Sequence, residues 1–226
     1  MSRVVAIVQS RYGSSRLPGK AMIALAGRPM LAHVLERASA IKGVSEVVLA
    51  TSLAEADSVL ATLAAGLGYR CYRGSEHDVL SRFVEAADMF RAEIIMRLTG
   101  DCPFLAPAIC EAVLGAALAD RSLGYVSNDT TCSGFPDGVD CEIFPRVSLG
   151  YADRAGGSAS DREHVTPLMR RYLSCRTVRS ATDWPRVKLS VDCQDDLAVA
   201  KRLVGRIQRG DFSLTATMAA YDGGIL

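Results

Sequence analysis

The chain has 226 residues, of which 49% are apolar, so it is long enough to bury the core of one α/β domain. Its 26 Lys and Arg residues nearly cancel its 25 Asp and Glu residues, and the formal net charge is +1. This even balance argues against a nucleic acid or a membrane surface as the main partner, and any basic site must therefore be local.

The sequence contains no membrane-spanning pattern, because no segment reaches the roughly 18 apolar residues that such a helix needs. Its first three residues lead directly into a strand-like run, without the layout of a secretory signal. We therefore expect a cytoplasmic protein whose partners include neither a membrane nor a nucleic acid.

Strand-like and helix-like patterns alternate along the first half of the chain. Short apolar runs predict strands buried on both faces, and apolar residues at helical spacing predict the helices between them. In chain order, the predicted elements are a strand at 4–8, a helix at 29–38, a strand at 46–51, a helix at 55–67, a strand at 70–72, a helix at 78–90, a strand at 93–98 and a helix at 107–118. This alternation predicts an α/β fold with three αβα layers, in which helices cover both faces of a mostly parallel, Rossmann-like sheet.

The second half of the chain is less regular. Its predicted elements are a strand at 125–128, a crossing or antiparallel strand at 138–144, a helix that ends near residue 173, a strand at 186–191 and a helix at 195–208. The sequence shows no linker and no internal repeat. We therefore predict a single domain over residues 1–226, with an irregular insertion at about 125–180 that belongs to it.

The loop after the first strand, SRYGSSRLPGK at residues 10–20, looks at first like a Walker phosphate-binding loop. It is not one, because five residues instead of four separate Gly13 from Gly19, and because Ala21 stands where a Walker loop has its magnesium-binding hydroxyl. Pro18 also removes one of the backbone N–H donors on which such a loop depends.

The same loop nevertheless carries groups that bind phosphate. Arg11, Arg16 and Lys20 place three positive charges within ten residues, and Gly13 and Ser14 allow the backbone to approach a ligand and offer further donors. Arginine can bind phosphate through two hydrogen bonds, whereas lysine acts as a point charge. The alternative is a solvated surface loop.

Two aspartates closely follow predicted strands. Asp101 stands after the strand at 93–98, and Asp192 stands after the strand at 186–191. Ligands of such sheets bind at the carboxyl ends of the strands, so we expect both side chains at one edge. Magnesium prefers one or two carboxylates together with phosphate oxygens, which makes both aspartates candidate ligands. As alternatives, Asp101 begins a turn before Pro103 and Asp192 caps a helix.

The opening loop resembles the N-terminal signature of the nucleotide-sugar cytidylyltransferases, the family of the CMP-KDO and CMP-sialic acid synthetases. Further segments resemble the bacterial branch of this family that is named for spore-coat polysaccharide biosynthesis. In chain order they are VVLATS, YRGSEHDVLSRF, RLTGDCPF, YVSND, FPDGVDCEIF, SDREHVTP and LSVDCQDDL. The resemblance extends to about residue 205, and it implies the fold of the nucleotide-diphospho-sugar transferases.

This resemblance implies an enzyme that uses CTP and Mg²⁺ in the synthesis of bacterial surface polysaccharides. A hydroxyl of an acidic sugar would attack the α-phosphorus of CTP and release pyrophosphate. At the matching positions, Arg11, Arg16 and Lys20 would hold the triphosphate, and Asp101 and Asp192 would bind the metal. The predicted catalytic residues are therefore Lys20, Arg11 and Asp101. Such a transfer needs no protein nucleophile, since it depends on positioning and charge neutralisation.

Small and polar residues near the strand ends are the candidates for the rest of the nucleotide site. The full set of predicted nucleotide-binding residues is Gln9, Ser10, Arg11, Gly13, Ser14, Arg16, Lys20, Thr51, Arg73 and Ser75. Ser10 departs from the alanine that many relatives have, and it adds a hydroxyl near the base. The alternative for Arg73 is an ordinary surface arginine.

The acceptor pocket is expected in the irregular half, where polar residues stand in apolar or glycine-rich segments. The candidates are Asn128, Asp137, Asp140, Glu142, Arg162, Glu163 and His164. A sugar needs several hydrogen-bonding groups, and Arg162 would supply a cation for an acidic one. The alternative for His164 is a capping or core-edge histidine near Pro167.

A nonulosonic acid is the predicted acceptor. The loop would equally serve a nucleotidyltransferase that acts on a sugar phosphate or on another phosphorylated or phosphonate acceptor. A third possibility is a non-catalytic nucleotide-binding protein of the same fold, against which the presence of Lys20, Asp101 and Asp192 counts. Because relatives in this family are commonly dimers, the resemblance also implies a homodimer.

Overall fold

A seven-stranded sheet forms the centre of the computed structural model, which describes residues 2–14, 16–184 and 187–222. The strands are β1 (Val4–Gln9), β2 (Ala24–Leu25), β3 (Arg28–Pro29), β4 (Glu46–Ser52), β5 (Arg70–Gly74), β6 (Ile94–Thr99), β7 (Tyr125–Ser127), β8 (Glu142–Pro145) and β9 (Cys175–Thr177). Across the sheet the order is β5, β4, β1, β6, β8, β7, β9, and β2 pairs with β3 in a small hairpin. Within the seven-stranded sheet, only β8 among the described strands runs antiparallel to its neighbours, so the predicted mostly parallel sheet is confirmed.

Helices cover both faces of this sheet. They are α1 (Met30–Ser39), α2 (Ser58–Gly66), α3 (Val79–Met89), α4 (Pro107–Ala119), α5 (Arg146–Ala155), α6 (Ala159–His164), α7 (Pro167–Tyr172), α8 (Gln194–Val204) and α9 (Leu214–Asp222). Residues of α1, α2 and α4 form one apolar core with the sheet, and residues of α3, α5 and α7 form the other. This is the predicted αβα arrangement. No helix in the described residues is both long and apolar enough to cross a membrane.

The central strand β1 shows why the sequence folds in this way. Its apolar side chains from Val4 to Val8 alternate between the two cores and are almost completely buried. It pairs in parallel with β4 and with β6, so that Gln9 stands opposite Ala50 on one side and Thr99 on the other. The loops that follow these strands therefore emerge side by side at the carboxyl edge.

The predicted strand at 186–191 is wrong. Its first residue lies outside the described residues, and the remainder forms only an isolated bridge between Lys188 and Asp137. The segment crosses the carboxyl edge of the sheet, where the N–H of Val191 donates to the carbonyl of Asp101 at 2.9 Å. Leu189 and Val191 pack instead into a third apolar cluster, which includes residues of α8. Apolar content predicted a strand, but tertiary packing explains the burial.

The insertion also differs from its predicted elements. The strand predicted at 138–144 is limited to β8, and of the two predicted arrangements, crossing or antiparallel, it adopts the antiparallel one. The helix predicted to end near residue 173 is two helices, because Val165 adopts a φ of +67° and Pro167 starts α7 anew. Helix α5 and strand β9 were not predicted.

Candidate active site

The loop at 10–20 forms a tight turn at the carboxyl end of β1. The carbonyl of Tyr12 accepts hydrogen bonds from the N–H groups of Ser14 and Gly19, each at 2.9 Å. Gly19 has a φ of +71°, and a Cβ atom there would lie 3.0 Å from the Tyr12 ring. Both conformation and space therefore require glycine directly before Lys20.

Lys20 joins the two aspartates that the sequence assigns to a metal. Its Nζ donates to Oδ2 of Asp101 at 2.8 Å, to Oδ1 of Asp192 at 3.1 Å and to the carbonyl of Val191 at 2.7 Å. The side chain of Lys20 is only 13% exposed, which strengthens these charge-assisted hydrogen bonds. The fold thus brings together residues from three distant segments of the chain.

Asp192 has additional cationic neighbours. Nη2 of Arg16 lies 3.0 Å from its Oδ1, and Nζ of Lys188 lies 3.1 Å from its Oδ2. Burial raises the pKa of Asp192, but hydrogen bonds from Lys188 and Lys20 outweigh it and hold the pKa below its usual value. Asp192 is therefore a carboxylate at neutral pH. The N-cap of α8 is Cys193, not Asp192. Asp196, in the first turn, accepts the N–H of Cys193 at 3.0 Å and that of Asp192 at 2.8 Å.

A cavity of about 330 Å³ opens beside this cluster. It brings together most of the predicted nucleotide residues, both predicted metal ligands and two of the predicted acceptor residues. These are Gln9, Ser10, Arg11, Ser14, Arg16, Lys20, Asp101, Asp192, Glu163 and His164. Arg11 links the two parts, because its Nη2 lies 4.0 Å from Oε1 of Glu163 on α6. The predicted phosphate-binding residues and two acceptor candidates therefore share one cavity.

Several predicted nucleotide residues do not contribute to the described cavity lining. The guanidinium of Arg73 donates to the carbonyls of Ser52 and Ala54, each at 2.9 Å, and so braces the loop after β4. Thr51 is fully buried, and the hydroxyl of Ser75 accepts the N–H of Asp78 at 3.0 Å. Among the described residues that line the cavity, these three and Gly13 are absent. Their contacts are with the protein.

Asp57 positions the loop, and sequence reasoning missed it. It is 2% exposed and accepts hydrogen bonds from the N–H of Tyr12 at 2.6 Å, from the N–H of Ser52 at 3.0 Å and from the hydroxyl of Thr51 at 3.0 Å. One carboxylate thus ties the loop at 10–20 to the end of β4. The sequence signal was weak, because Asp57 stands in the polar start of a predicted helix.

We expect Asp57 to make the free energy of unfolding depend on pH in the acidic range. Burial raises its pKa, but hydrogen bonds from Ser52, Tyr12 and Thr51 outweigh it and lower the pKa. Because the folded pKa lies below the unfolded value of about 3.9, this stabilisation is present above about pH 4 and is lost as the pH falls further. In urea unfolding, Asp57→Asn should lower the neutral-pH free energy of unfolding by about 1–3 kcal/mol, and the difference from wild type should shrink in acid. A constant difference down to pH 3 would contradict this.

Asn128 has a structural position and does not face the cavity. It is fully buried, its Oδ1 accepts the N–H of Cys141 at 2.7 Å, and its Nδ2 donates to the carbonyl of Val139 at 2.9 Å. The amide therefore pairs two buried backbone groups of the segment that leads into β8. Asn128 is not among the described residues that line the cavity, and its predicted contact with an acceptor stays a prediction.

Replacing Asn128 by alanine should destabilise the protein without altering the site. The change leaves two buried backbone groups without partners, which we expect to cost about 2–3 kcal/mol in the free energy of unfolding. Urea denaturation measures this loss, and turnover of the folded variant should stay within about twofold of wild type. A loss of turnover at unchanged stability would instead support the predicted contact between Asn128 and the acceptor.

Glu142 is the centre of a partly buried network that extends to Gln9 in the cavity lining. Its carboxylate pairs with Arg97 and accepts the hydroxyls of Tyr125 at 2.6 Å and Thr166 at 2.8 Å. Arg97 also donates from Nε to Oε1 of Gln9 at 3.0 Å. Glu142 was predicted to contact the acceptor, but its oxygens are used within the protein. Through Arg97 it fixes the amide of Gln9, whose NH₂ group is then the side available to a ligand.

The remaining predicted acceptor residues also have partners in the protein. Arg162 forms ion pairs with Asp78, the cap of α3, and with Asp153. Asp140 accepts the hydroxyl of Thr130 at 2.7 Å and the N–H of Gly138 at 2.9 Å. Asp137 accepts the hydroxyl of Ser190 at 2.9 Å. Within the described part of the chain, none of Arg162, Asp140 and Asp137 lines the cavity.

The cavity also contains residues that were not among the predicted site residues. Val79 and Arg82 contribute from α3, and Thr99 and Gly100 contribute from the end of β6. A signal for Arg82 was present, because it shares the helical spacing of the apolar residues Val79 and Phe83 on the buried side of α3. A charged residue on an apolar helix face is rarely buried without a purpose.

The donor set beside Lys20 fits a magnesium ion that also binds phosphate. No group of three or more His, Cys, Asp and Glu side chains forms a metal cluster in residues 2–14, 16–184 and 187–222. Asp101 and Asp192 nevertheless converge on one cation, the ammonium of Lys20. Two carboxylates without a complete protein cage are the arrangement that Mg²⁺ uses when phosphates supply further oxygens.

Sequence comparison agrees with this geometry. The profile of the family described as cytidylyltransferase matches residues 5–189 of the chain, a range that includes the loop at 10–20, Asp101 and α6. The chain belongs to this cytidylyltransferase family. The predicted resemblance is thereby confirmed.

Individual relatives of this cytidylyltransferase support the same assignment. The spore coat polysaccharide biosynthesis protein SpsF of Bacillus subtilis is 30% identical over 213 residues, which cover 90% of this chain and 87% of that protein. A 3-deoxy-manno-octulosonate cytidylyltransferase of Anaeromyxobacter dehalogenans is 39% identical over 182 residues, covering 73% and 72%. The solved structure of a cytidylyltransferase from Leptospira borgpetersenii matches with a TM-score of 0.93 and 26% identity, covering 98% of this chain and 94% of that one.

Proposed function

We propose that this protein transfers CMP from CTP to an acidic sugar and releases pyrophosphate. The observation that carries this proposal is the placement of Lys20 between Asp101 and Asp192, in the same cavity as Arg11 and Arg16. Family membership supports a cytidylyl group as the part transferred. Cationic side chains for a triphosphate and carboxylates for a metal are the two requirements of such a reaction.

In the proposed reaction, a hydroxyl oxygen of the acceptor forms a bond to the α-phosphorus and releases its proton to the solvent. The bond from that phosphorus to the bridging oxygen of pyrophosphate breaks. Negative charge develops on the leaving pyrophosphate. Lys20 and Arg16 would stabilise that charge, and Arg11 would hold the phosphates from the other side of the loop. The reaction needs no covalent enzyme intermediate.

Asp101 and Asp192 would hold Mg²⁺ in this site. The bound ion supplies charge neutralisation for the triphosphate. Lys20 now donates to both carboxylates, so it would have to exchange these contacts for phosphate oxygens when nucleotide enters. A flexible lysine side chain allows this, because its ammonium can rotate between acceptors without moving the backbone.

Glu163 and His164 are the proposed contacts to the acceptor. They lie on the short helix α6 and line the cavity next to Arg11. Arg162, the cation first predicted for an acidic sugar, is already paired with Asp78 and Asp153. Arg11, which would also contact the phosphates, is the better candidate for this cation, because its side chain is 43% exposed and its distance to Glu163 is the long limit of an ion pair.

Pyrophosphate release from four nucleotides tests the proposal. The purified protein is mixed with Mg²⁺ and with CTP, UTP, GTP or ATP, each together with an eight- or nine-carbon sugar acid or a sugar phosphate. We expect release only with CTP and a sugar acid. Release with sugar phosphates alone would favour the alternative enzyme, a nucleotidyltransferase that acts on a phosphorylated acceptor. CTP binding without pyrophosphate release from any of these pairs would favour a non-catalytic nucleotide-binding protein. No preference for CTP would overturn the cytidylyl assignment.

Four points stay predictions: the role in bacterial surface polysaccharide synthesis, the nonulosonic acid as acceptor, the homodimer and the cytoplasmic location. Of these, the acceptor is the one that the same assay can test directly. A nine-carbon acid that is turned over much faster than an eight-carbon acid would support the prediction.

A further inference from the structure

Val165, which directly follows the two cavity residues Glu163 and His164, has a strained backbone. Its φ is +67° and its ψ is −52°, and the N–H of Thr166 donates to the carbonyl of His164 at 2.7 Å. These values belong to the rare, strained form of the γ-turn, and a β-branched side chain makes this conformation still less favourable. Such strain persists only where surrounding contacts hold it, and it concentrates at ligand sites.

Buried contacts hold the chain on both sides of this turn. Val165 is 1% exposed and packs in the apolar core that α3, α5 and α7 form with the sheet. Before the turn, Asp161 is buried and pairs with Arg171 of α7. Glu163 and His164, in contrast, are exposed and line the cavity. The turn therefore fixes the end of α6 that carries these two residues.

The hydroxyl of Thr166 anchors the turn to the sheet. Thr166 is 3% exposed, and its hydroxyl donates to Oε1 of Glu142, the first residue of β8, at 2.8 Å. The carboxylate of Glu142 is largely buried, and hydrogen bonds to such a charged acceptor are among the stronger ones. Thr166 thus donates twice, from its N–H to close the turn and from its hydroxyl to hold the turn in place.

The same carboxylate also holds Gln9, which lines the cavity at the end of β1. Glu142 pairs with Arg97, whose Nε donates to Oε1 of Gln9 at 3.0 Å. Arg97, Glu142 and Thr166 therefore form a chain of hydrogen bonds between two parts of the cavity lining. One part is Gln9, on the predicted nucleotide side, and the other is the turn after His164, on the proposed acceptor side.

We propose that Thr166 is a positioning residue for the transfer, because its hydroxyl holds the strained turn and the turn sets Glu163 and His164 in place for the acceptor. This inference rests on the proposed function, since it requires an acceptor beside these two residues. Transfer depends on the alignment of the acceptor hydroxyl with the α-phosphorus, and a misplacement of about 1 Å can cost about 100-fold in rate. Among the described residues, Thr166 itself does not line the cavity.

Thr166→Val tests this role, because it removes the hydroxyl and keeps the size of the side chain. Without the bond to Glu142, the strain at Val165 favours a relaxed turn, and Glu163 and His164 lose their fixed position. We expect kcat/KM for the sugar acid, measured by pyrophosphate release, to fall about 10- to 100-fold, while the dissociation constant of CTP, measured by calorimetry, stays within about twofold. Thr166→Ser keeps a hydroxyl donor and should retain kcat/KM within about threefold of wild type.

The matched control is Tyr125→Phe. The hydroxyl of Tyr125 donates to the same Oε1 of Glu142 at 2.6 Å, but Tyr125 lies in β7 and is not part of the turn. Each variant removes one hydroxyl from the same carboxylate oxygen, so urea unfolding should show similar losses of stability. Only Thr166→Val should lower kcat/KM for the sugar acid. Equal losses of kcat/KM in both variants would contradict the role of the turn.

The ring signals of His164 report on the turn without any turnover. The chain has three histidines, so NMR spectra of wild type and of His164→Gln assign these signals. In the nucleotide-free wild-type protein we expect a single sharp set, which Thr166→Val broadens or shifts and Tyr125→Phe leaves unchanged. Exchange-broadened His164 signals in the wild-type protein would overturn the proposal even if Thr166→Val does not fold, because the turn would then not hold this residue.

The outcomes separate this inference from the proposed function. Wild-type protein that releases no pyrophosphate with any sugar acid would remove the proposed function. Active wild-type protein, together with a folded Thr166→Val variant that keeps wild-type kcat/KM, would remove only the role of Thr166. A variant that loses CTP binding as much as it loses kcat/KM would show that Thr166 supports the nucleotide side, which also contradicts the proposal.

Discussion

Replacing Asp101 by asparagine should lower kcat/KM for pyrophosphate release by about two to three orders of magnitude. Asparagine has nearly the same shape, but it lacks the charge that a metal and Lys20 require, and metal contacts supply several kcal/mol of transition-state stabilisation. The measurement is a pyrophosphate-release assay over a range of Mg²⁺ concentrations. We also expect the Mg²⁺ concentration for half-maximal rate to rise, since one of two carboxylate ligands is lost.

The matched control for this experiment is Asp88→Asn. Asp88 is 62% exposed and forms an ion pair with Arg146 outside the cavity, so the same chemical change there should leave both the rate and the Mg²⁺ dependence near wild type. If Asp101→Asn retains wild-type turnover and Mg²⁺ dependence, the assigned metal role is wrong. Asp101 would then only hold Lys20 in place.

Replacing Lys20 by methionine should have two opposite effects. Turnover should fall by about two to three orders of magnitude, because the charge that faces the leaving pyrophosphate is lost from a partly buried site. Binding of Mn²⁺ without nucleotide should become tighter, because no ammonium then competes for Asp101 and Asp192. Calorimetric titration with MnCl₂ measures the second effect without any turnover.

The control is Lys42→Met, which removes an exposed ammonium from the surface and should change neither quantity. Folding of the Lys20 variant should be retained, since Arg16 and Lys188 still neutralise Asp192. Weaker Mn²⁺ binding in the Lys20 variant would contradict the view that lysine and metal share the two carboxylates. Unchanged turnover would remove Lys20 from the proposed mechanism.

The loop and the two aspartates were the most predictable parts of the site. Gly19, directly before Lys20, closes the tight turn by donating its N–H to the carbonyl of Tyr12. This turn depends mainly on local conformation. Asp101 follows a buried strand, and the carboxyl ends of parallel strands share one edge. Asp192 lies at the same edge for a different reason. The segment before it is not a strand and crosses that edge.

The insertion was the least predictable part. Its polar residues look alike in sequence, yet Glu163 and His164 line the cavity, whereas Asn128 and Glu142 satisfy buried groups. Which polar residue faces a ligand depends on the path of the chain between elements, and short helices broken at Val165 leave no extended periodicity to reveal it.

By itself, the sequence determined the αβα layers, the mostly parallel sheet, the family and the candidate phosphate loop, because buried strands, helical spacing and turn residues are local properties. Only the tertiary structure decided the partners. It placed Lys20 between Asp101 and Asp192, tied the loop to β4 through Asp57, and left donors of Arg82 unused in the cavity wall. The physical reason is that ion pairs and unsatisfied donors depend on distances between residues far apart in the chain, which no local pattern contains.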